Sequence, residues 1–127
     1  MPLRPPPRVL VVDDEPLIRW AMAETLVNAG YTVNLARSAW EALEQLRTGE
    51  QPDVILLDLR LPDSYDLQLL ETIRERSPAS AVIMATAFGT PEVARGAAAL
   101  GAADVLDKPF DMALLPHKVE AAYHRAS

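Results

Sequence analysis

The chain has 127 residues, half of them hydrophobic, with no cysteine and a formal charge of −6. That is enough for one domain with a buried core, and it excludes disulfides, zinc fingers and thiol chemistry. The basic residues are scattered singly, without an aromatic-laced basic stripe, so direct nucleic-acid binding is not expected. No apolar run approaches the roughly 20 residues that span a bilayer, and the four apolar residues after Arg8 are too few for a signal peptide, so no membrane is expected and a cytoplasmic location is.

In chain order, residues 1–7, with Pro5-Pro6-Pro7, read as a flexible extended tail, and residues 8–127 as a single domain. The first strand is expected over Arg8 to Val12 and runs directly into Asp13-Asp14. Pro16 suits the first position of a helix. Ile18, Ala21, Met22, Thr25 and Leu26 carry that helix at 3.6-residue spacing, and Gly30 closes it. Tyr31 to Ala36 alternates as a second strand. Ser38 and Glu41 form a capping box for a second helix presenting Ala42, Leu43 and Leu46 and stopping near Gly49.

Val54 to Leu57 is a third strand ending in Asp58. Leu67, Leu70 and Ile73 mark a third helix that ends before Pro78. Ala81 to Ala85 is a fourth strand followed by Thr86, and Thr90-Pro91-Glu92 has the cap, proline and acid of a helix start. Ala102 to Leu106 is a short fifth strand, with Lys108 just beyond it. Asp111 opens a last helix to about Arg125, and Pro116 requires that this helix start later than Asp111 or bend.

Five strands alternating with five helices give an α/β fold. The arrangement expected is a doubly wound, flavodoxin-like, five-stranded parallel sheet in the order 2-1-3-4-5, with helices on both faces. Apolar runs of four suit strands buried on both faces. Ligands in such sheets bind beyond the carboxyl ends of the strands, where the order reverses. Strands 1 and 3 flank that point and both end in acids.

Two carboxylates about 4 Å apart repel by roughly 4 kcal/mol at an effective dielectric near 20. Asp13, Asp14 and Asp58 in one crevice therefore call for a cation or a hard metal, and an oxygen-only donor set suits Mg²⁺. Thr86 and Lys108 fall at the same ends of the fourth and fifth strands. A metal and a lysine stabilise a phosphoryl group in transfer, and a carboxylate among them can become an aspartyl phosphate. Asp58 is the natural acceptor. Singly each residue has a plainer reading: acids favour a helix N-terminus, and an aspartate after a strand is commonly a turn residue. The combination carries the chemistry.

With VLVVDDEP at the first strand, DVILLDLRLP at the third, MATA at the fourth and GAADVLDKPF at the fifth, the chain resembles the receiver domain of bacterial two-component response regulators from Arg8 to about Arg125. The wording around Asp58 looks most like receivers of enhancer-binding transcription activators. The resemblance implies that Asp58 accepts a phosphoryl group from a phosphohistidine on a sensor histidine kinase. Asp13, Asp14, Asp58 and the backbone carbonyl of Arg60 would hold Mg²⁺, and Lys108, before a cis Pro109, would pair with the phosphoryl group. Thr86 would move toward it and shift an inactive-to-active equilibrium, altering the surface of helix 4, strand 5 and helix 5. It further implies a signalling domain rather than an enzyme, an effector domain outside these residues, and a homodimer through that surface and the stretch Ala97 to Ala99.

Three positions depart from the family pattern. Asp66 stands where glycine is usual, so a strained or rearranged Ser64-Tyr65-Asp66 loop is expected. Val105 replaces the usual aromatic switch residue. Arg60 and Phe88 stand where family members tune water access, and Phe88 is expected to shield the phosphate. Two other classes compete: a pseudo-receiver that binds partners without taking phosphate, and a small α/β enzyme or flavin carrier. Against the last, Asp13-Asp14-Glu15 replaces any phosphate-cradling loop. His117 and His124 read as a solvated face, Met22, Met84 and Met112 as packing, and Trp20 and Trp40 as ordinary packing residues in preference to partly exposed partner contacts on their helices.

Overall fold

Short apolar runs rich in β-branched residues pair where both faces can be covered, and they do so here in a computed structural model that describes residues 6–64, 66–87 and 89–126. The strands are β1 (Arg8–Val12), β2 (Thr32–Ala36), β3 (Val54–Leu57), β4 (Ala81–Thr86) and β5 (Asp104–Asp107). All neighbours are parallel, in the order β2-β1-β3-β4-β5. β3 and β4 are buried at every residue, whereas the edge strand β2 buries only Ala36.

The crossovers are α1 (Pro16–Asn28), α2 (Ala39–Thr48), α3 (Gln68–Arg76) and α4 (Pro91–Ala99), and α5 (Leu115–Ala126) closes the chain. Because alternate strand residues face opposite ways, each strand feeds two cores. Val9, Val11, Leu56 and Ile83 pack with Met22 and Leu26 of α1 and Leu115 and Val119 of α5. Leu10, Val12, Ile55 and Leu57 pack with Ala42 and Leu46 of α2, Leu70 and Ile73 of α3, and Ala97 of α4. This is the doubly wound arrangement expected of the sequence.

Local chemistry sets the helix ends. Pro16 and Pro91 occupy first-turn positions where a missing N–H costs nothing. Gly30 adopts φ 99° just after α1, which only glycine does readily. Ser38 accepts the Glu41 N–H at 3.1 Å, but Glu41 turns its carboxylate to the Arg37 N–H at 2.8 Å, so only one half of the expected capping box forms.

Two expected boundaries move. Asp111 caps a 3-10 turn (Met112–Leu114) by accepting the Ala113 N–H, and α5 begins at Leu115 with Pro116 in its first turn. Of the two alternatives, the helix starts late. β5 runs Asp104–Asp107 instead of starting at Ala102, because Gly101 and its turn occupy the approach and the ladder begins at Ile83↔Asp104. Trp20 and Trp40 are not packed as expected but exposed, because they fall on the outward faces of α1 and α2, while Met22 and Met84 are buried. His117 and His124 are exposed on α5.

The start of the second strand is tied to α5 by one polar contact. The Tyr31 hydroxyl donates to Glu120 Oε2 at 2.8 Å. Burial, then this bond and the Glu120 charge, push the phenol up to about 12. A raised value means that the folded state holds the proton more tightly, so this contribution to stability is complete below pH about 10 and lost as pH rises through about 12. Thermal unfolding at pH 8 to 12 checks it: Tyr31→Phe is expected to be about 1 kcal/mol less stable at pH 8, with the gap closing at the alkaline end.

Candidate functional site

The carboxyl ends of β1, β3, β4 and β5 lie side by side, and β1, β3 and β5 are each prolonged by one backbone bond. Asp13 N–H donates to the Ala36 carbonyl at 3.0 Å, Asp58 N–H to the Val12 carbonyl at 3.0 Å, and Lys108 N–H to the Thr86 carbonyl at 2.9 Å. Secondary structure thus fixes where Asp13, Asp58 and Lys108 leave the sheet, before any side-chain interaction is counted.

Asp13 and Asp58 are 1% and 6% exposed. Between them sits the Lys108 ammonium, 2.6 Å from Asp13 Oδ2 and 3.2 Å from Asp58 Oδ2, with Glu15 Oε1 at 3.5 Å. The second oxygen of each acid is also engaged. Asp13 Oδ1 accepts the Glu15 N–H at 2.9 Å, and Asp58 Oδ1 accepts the Arg60 N–H at 3.3 Å. Asp14 stands exposed at the mouth, and ligand atoms of Asp13, Asp14 and Asp58 all lie within 4.8 Å of one another. Three carboxylates at this spacing are a hard, oxygen-only donor set with an open side, which fits a divalent cation of the Mg²⁺ class.

Charge and burial pull against each other. Burial pushes the Asp58 carboxyl up, the Lys108 charge pulls it down, the Asp13 charge pushes it up again, and it ends above the usual carboxylate range. Burial pulls the Lys108 ammonium down, but its bonds to Asp13 and the charges of both acids outweigh this and hold it above the ordinary lysine value. Ile18, Ala87, Pro109, Phe110 and Met112, with Glu15, line a largely apolar pocket of about 240 Å³ beside the lysine, whose side chain is 9% exposed.

Thr86 is fully buried at the end of β4 and pairs with Asp107 across the ladder. The Lys108–Pro109 peptide is cis, as the resemblance implied. Val105 pairs with Met84 and packs, partly buried, against the core under α4. Asp66 does not take the backbone form that glycine would supply. Among the described residues no non-glycine has positive φ, and Asp66 Oδ1 instead accepts the Gln68 N–H at 3.0 Å, starting α3. The expected strain there is absent because the loop is built differently. Tyr65 and Phe88, including the expected shielding by Phe88, lie outside the described residues.

Four contacts were not foreseen. Glu15 is a further acid beside the lysine, and Arg19 Nη1 donates to the Asp13 carbonyl at 2.9 Å. A Cβ at Gly89 would meet the Asp107 carboxylate, so a larger residue at that position in the β4–α4 connection would have to displace that side chain. Asp63 accepts two N–H bonds from the start of α2. Glu15 and Arg19 lie two and six residues from Asp13, which are not helical-neighbour spacings, so only their nearness in sequence pointed to them; the others join segments distant in sequence.

The family model described as "Response regulator receiver domain" matches residues 9–120. The chain is 41% identical over 104 residues to the DNA-binding transcriptional regulator NtrC of Escherichia coli (strain K12), covering 82% of this chain and 22% of that protein. It is 40% identical over 115 residues to the response regulator protein PilR of Pseudomonas aeruginosa, covering 91% of this chain and 26% of that one. The chain thus spans 22% to 30% of the length of these and similar curated relatives. Among solved structures, a CheY-like response regulator receiver domain protein from Methanospirillum hungatei superposes with TM-score 0.89 at 27% identity, covering 95% of this chain and 96% of that one. NtrX from Brucella abortus superposes with TM-score 0.86 at 32% identity, covering 95% and 27%.

The balance of charges predicts opposite effects of two substitutions on unfolding in EDTA. Asp58→Asn removes a buried charge that folding disfavours and is expected to raise Tm. Lys108→Ala leaves two buried acids facing each other and is expected to cost about 3 kcal/mol, much of it restored by millimolar Mg²⁺. Equal destabilisation by both would contradict this electrostatic reading.

Proposed function

Because the chain belongs to the response regulator receiver domain family, we propose that Asp58 accepts a phosphoryl group from a phosphohistidine of a sensor histidine kinase and that the domain thereby switches an output surface. The observation that carries this reading is the single ammonium set between two buried carboxylates, with a third acid at the mouth. In the transfer, an oxygen of Asp58 forms the new P–O bond as the donor's P–N bond breaks, and the leaving imidazole takes a proton from solvent.

Asp13, Asp14, Asp58 and the Arg60 carbonyl are the groups proposed to hold Mg²⁺, which when bound supplies positive charge to the phosphoryl oxygens. Lys108 supplies a second positive charge and keeps Asp58 ionised. Thr86, at the end of β4, is the hydroxyl proposed to hydrogen-bond the phosphoryl group and carry its arrival into the β4–α4 connection. Val105 supplies no aromatic ring to follow that movement, so the signal leaves through the connection itself, where Gly89 lies against Asp107.

The names of the curated relatives support a transcription regulator as the setting, with the effector domain outside these residues. A homodimer through α4, β5 and α5 would use Ala98 and Ala99, which are exposed, and not Ala97, which is buried in the domain's own core. Val105 favours one second reading, a pseudo-receiver that binds partners without a phosphate-driven switch.

Acetyl phosphate with Mg²⁺, followed by intact mass, tests the proposal. Wild type is expected to gain one phosphoryl group, and Asp58→Asn or EDTA to abolish the gain. Lys108→Ala is expected to slow it about a hundredfold, the scale of losing one charge-stabilising donor. No adduct on wild type, or an adduct that survives Asp58→Asn, would overturn it.

A further inference from the structure

We infer that Asp63 is a positioning residue for the cation site, acting through the loop that carries Arg60. This rests on the reading above that Asp58 and the Arg60 carbonyl hold a divalent cation. After Asp58 the chain runs through a short loop whose geometry is pinned at several points. Leu59 and Leu61 are buried in the core beneath α2 and α3, while Arg60 lies exposed between them. Leu61 and Ser64 exchange two backbone bonds, 2.8 and 3.2 Å, closing a turn with Pro62 and Asp63 at its centre. Proline then aspartate is the chemistry such a turn favours.

From that tip Asp63 reaches another element. Its Oδ1 accepts the Ala39 N–H at 2.8 Å and its Oδ2 the Trp40 N–H at 3.0 Å. These are the first two amides of α2, and the third, of Glu41, is taken by Ser38. A carboxylate is favoured at a helix N-terminus, and a two-point bond restrains its direction as one bond cannot. The Arg60 carbonyl shares its peptide plane with the Leu61 N–H, which the tethered turn holds on the Ser64 carbonyl at 2.8 Å, while the preceding peptide is held by the Arg60 N–H on Asp58 Oδ1. A neutral carbonyl attracts a cation weakly unless its direction is fixed in advance, and groups that orient such ligands are worth about ten- to a hundredfold in metal affinity.

Ser38 provides a matched control, since it caps the same helix with no bond to the loop. The experiment is a ¹H–¹⁵N NMR titration of the 127-residue chain with MgCl₂, without phosphodonor, in about 0.5 M KCl, where the screening length falls to a few ångströms and the bare charge of Asp63 counts for little. Asp63→Ala is expected to weaken Mg²⁺ binding about tenfold and to speed exchange of the Ala39 and Trp40 amides. Ser38→Ala should leave the affinity near that of wild type. Asp63→Asn, which keeps one acceptor and guards against a poorly folded alanine variant, should fall between. Unchanged affinity in Asp63→Ala, or equal weakening in Asp63→Ala and Ser38→Ala, would overturn the inference. Absence of Mg²⁺ binding by wild type would overturn the proposed cation site and this inference with it, whereas binding by wild type that Asp63→Ala leaves intact would overturn this inference alone.

Discussion

The Lys108 ammonium, 2.6 Å from Asp13 and 3.2 Å from Asp58, is the interaction on which the rest of the site depends. Two nearly buried carboxylates cannot share a crevice ionised unless positive charge stands between them. An ion pair so placed is poor economy for stability alone, since well-packed apolar residues of similar volume do as well or better. What the lysine preserves is an arrangement of two acids held side by side, 1% and 6% exposed, each with its second oxygen engaged by a backbone N–H. Burial, against the pull of the Lys108 charge, still leaves the Asp58 carboxyl above its ordinary value.

The parallel sheet makes this arrangement inexpensive to specify. Registers that pair Val12 with Leu57 and Thr86 with Asp107 bring the strand ends level, so the residue after each strand is delivered to one crevice by backbone bonds alone. The alternating side chains of the same strands are committed to two cores, one under α1 and α5 and the other under α2, α3 and α4. The helices can therefore vary in their outward residues without disturbing the acids. Loops then supply the finer control. Glu15 and Arg19 bind the Asp13 side, while the Leu61–Ser64 turn that follows Asp58 is fastened to α2 through Asp63.

The sequence revealed most where a residue acts on its near neighbours. Runs such as Val54–Leu57, helix starts at Pro16 and at Thr90-Pro91, and the glycine closing α1 are local signals, and all lie where expected. The order of the strands followed from alternation and chirality, and it brought the three acids together. Legibility failed where a local signal had two answers or none. Pro116 permitted a bent helix or a late one, and the 3-10 turn capped by Asp111 decided it. Asp66 stood at a position that glycine usually fills, yet its own φ is not positive and its carboxylate accepts the Gln68 N–H at the start of α3. Glu41 was paired correctly with Ser38 in sequence but prefers the Arg37 amide. The Asp63 tether joins residues more than twenty apart, and no periodicity or motif announces such a bond.

The central claim is that these residues form one phosphoryl-acceptor site with Asp58 at its centre. A crystal structure of the chain with Mg²⁺ and beryllofluoride, a phosphoryl mimic, tests it most directly. The account predicts the mimic on an Asp58 oxygen, Mg²⁺ held by the acid cluster and the Arg60 carbonyl, and the Lys108 ammonium turned from Asp13 toward the mimic. A mimic on Asp13 or Asp14, or a lysine still locked between Asp13 and an unmodified Asp58 under saturating conditions, would contradict it.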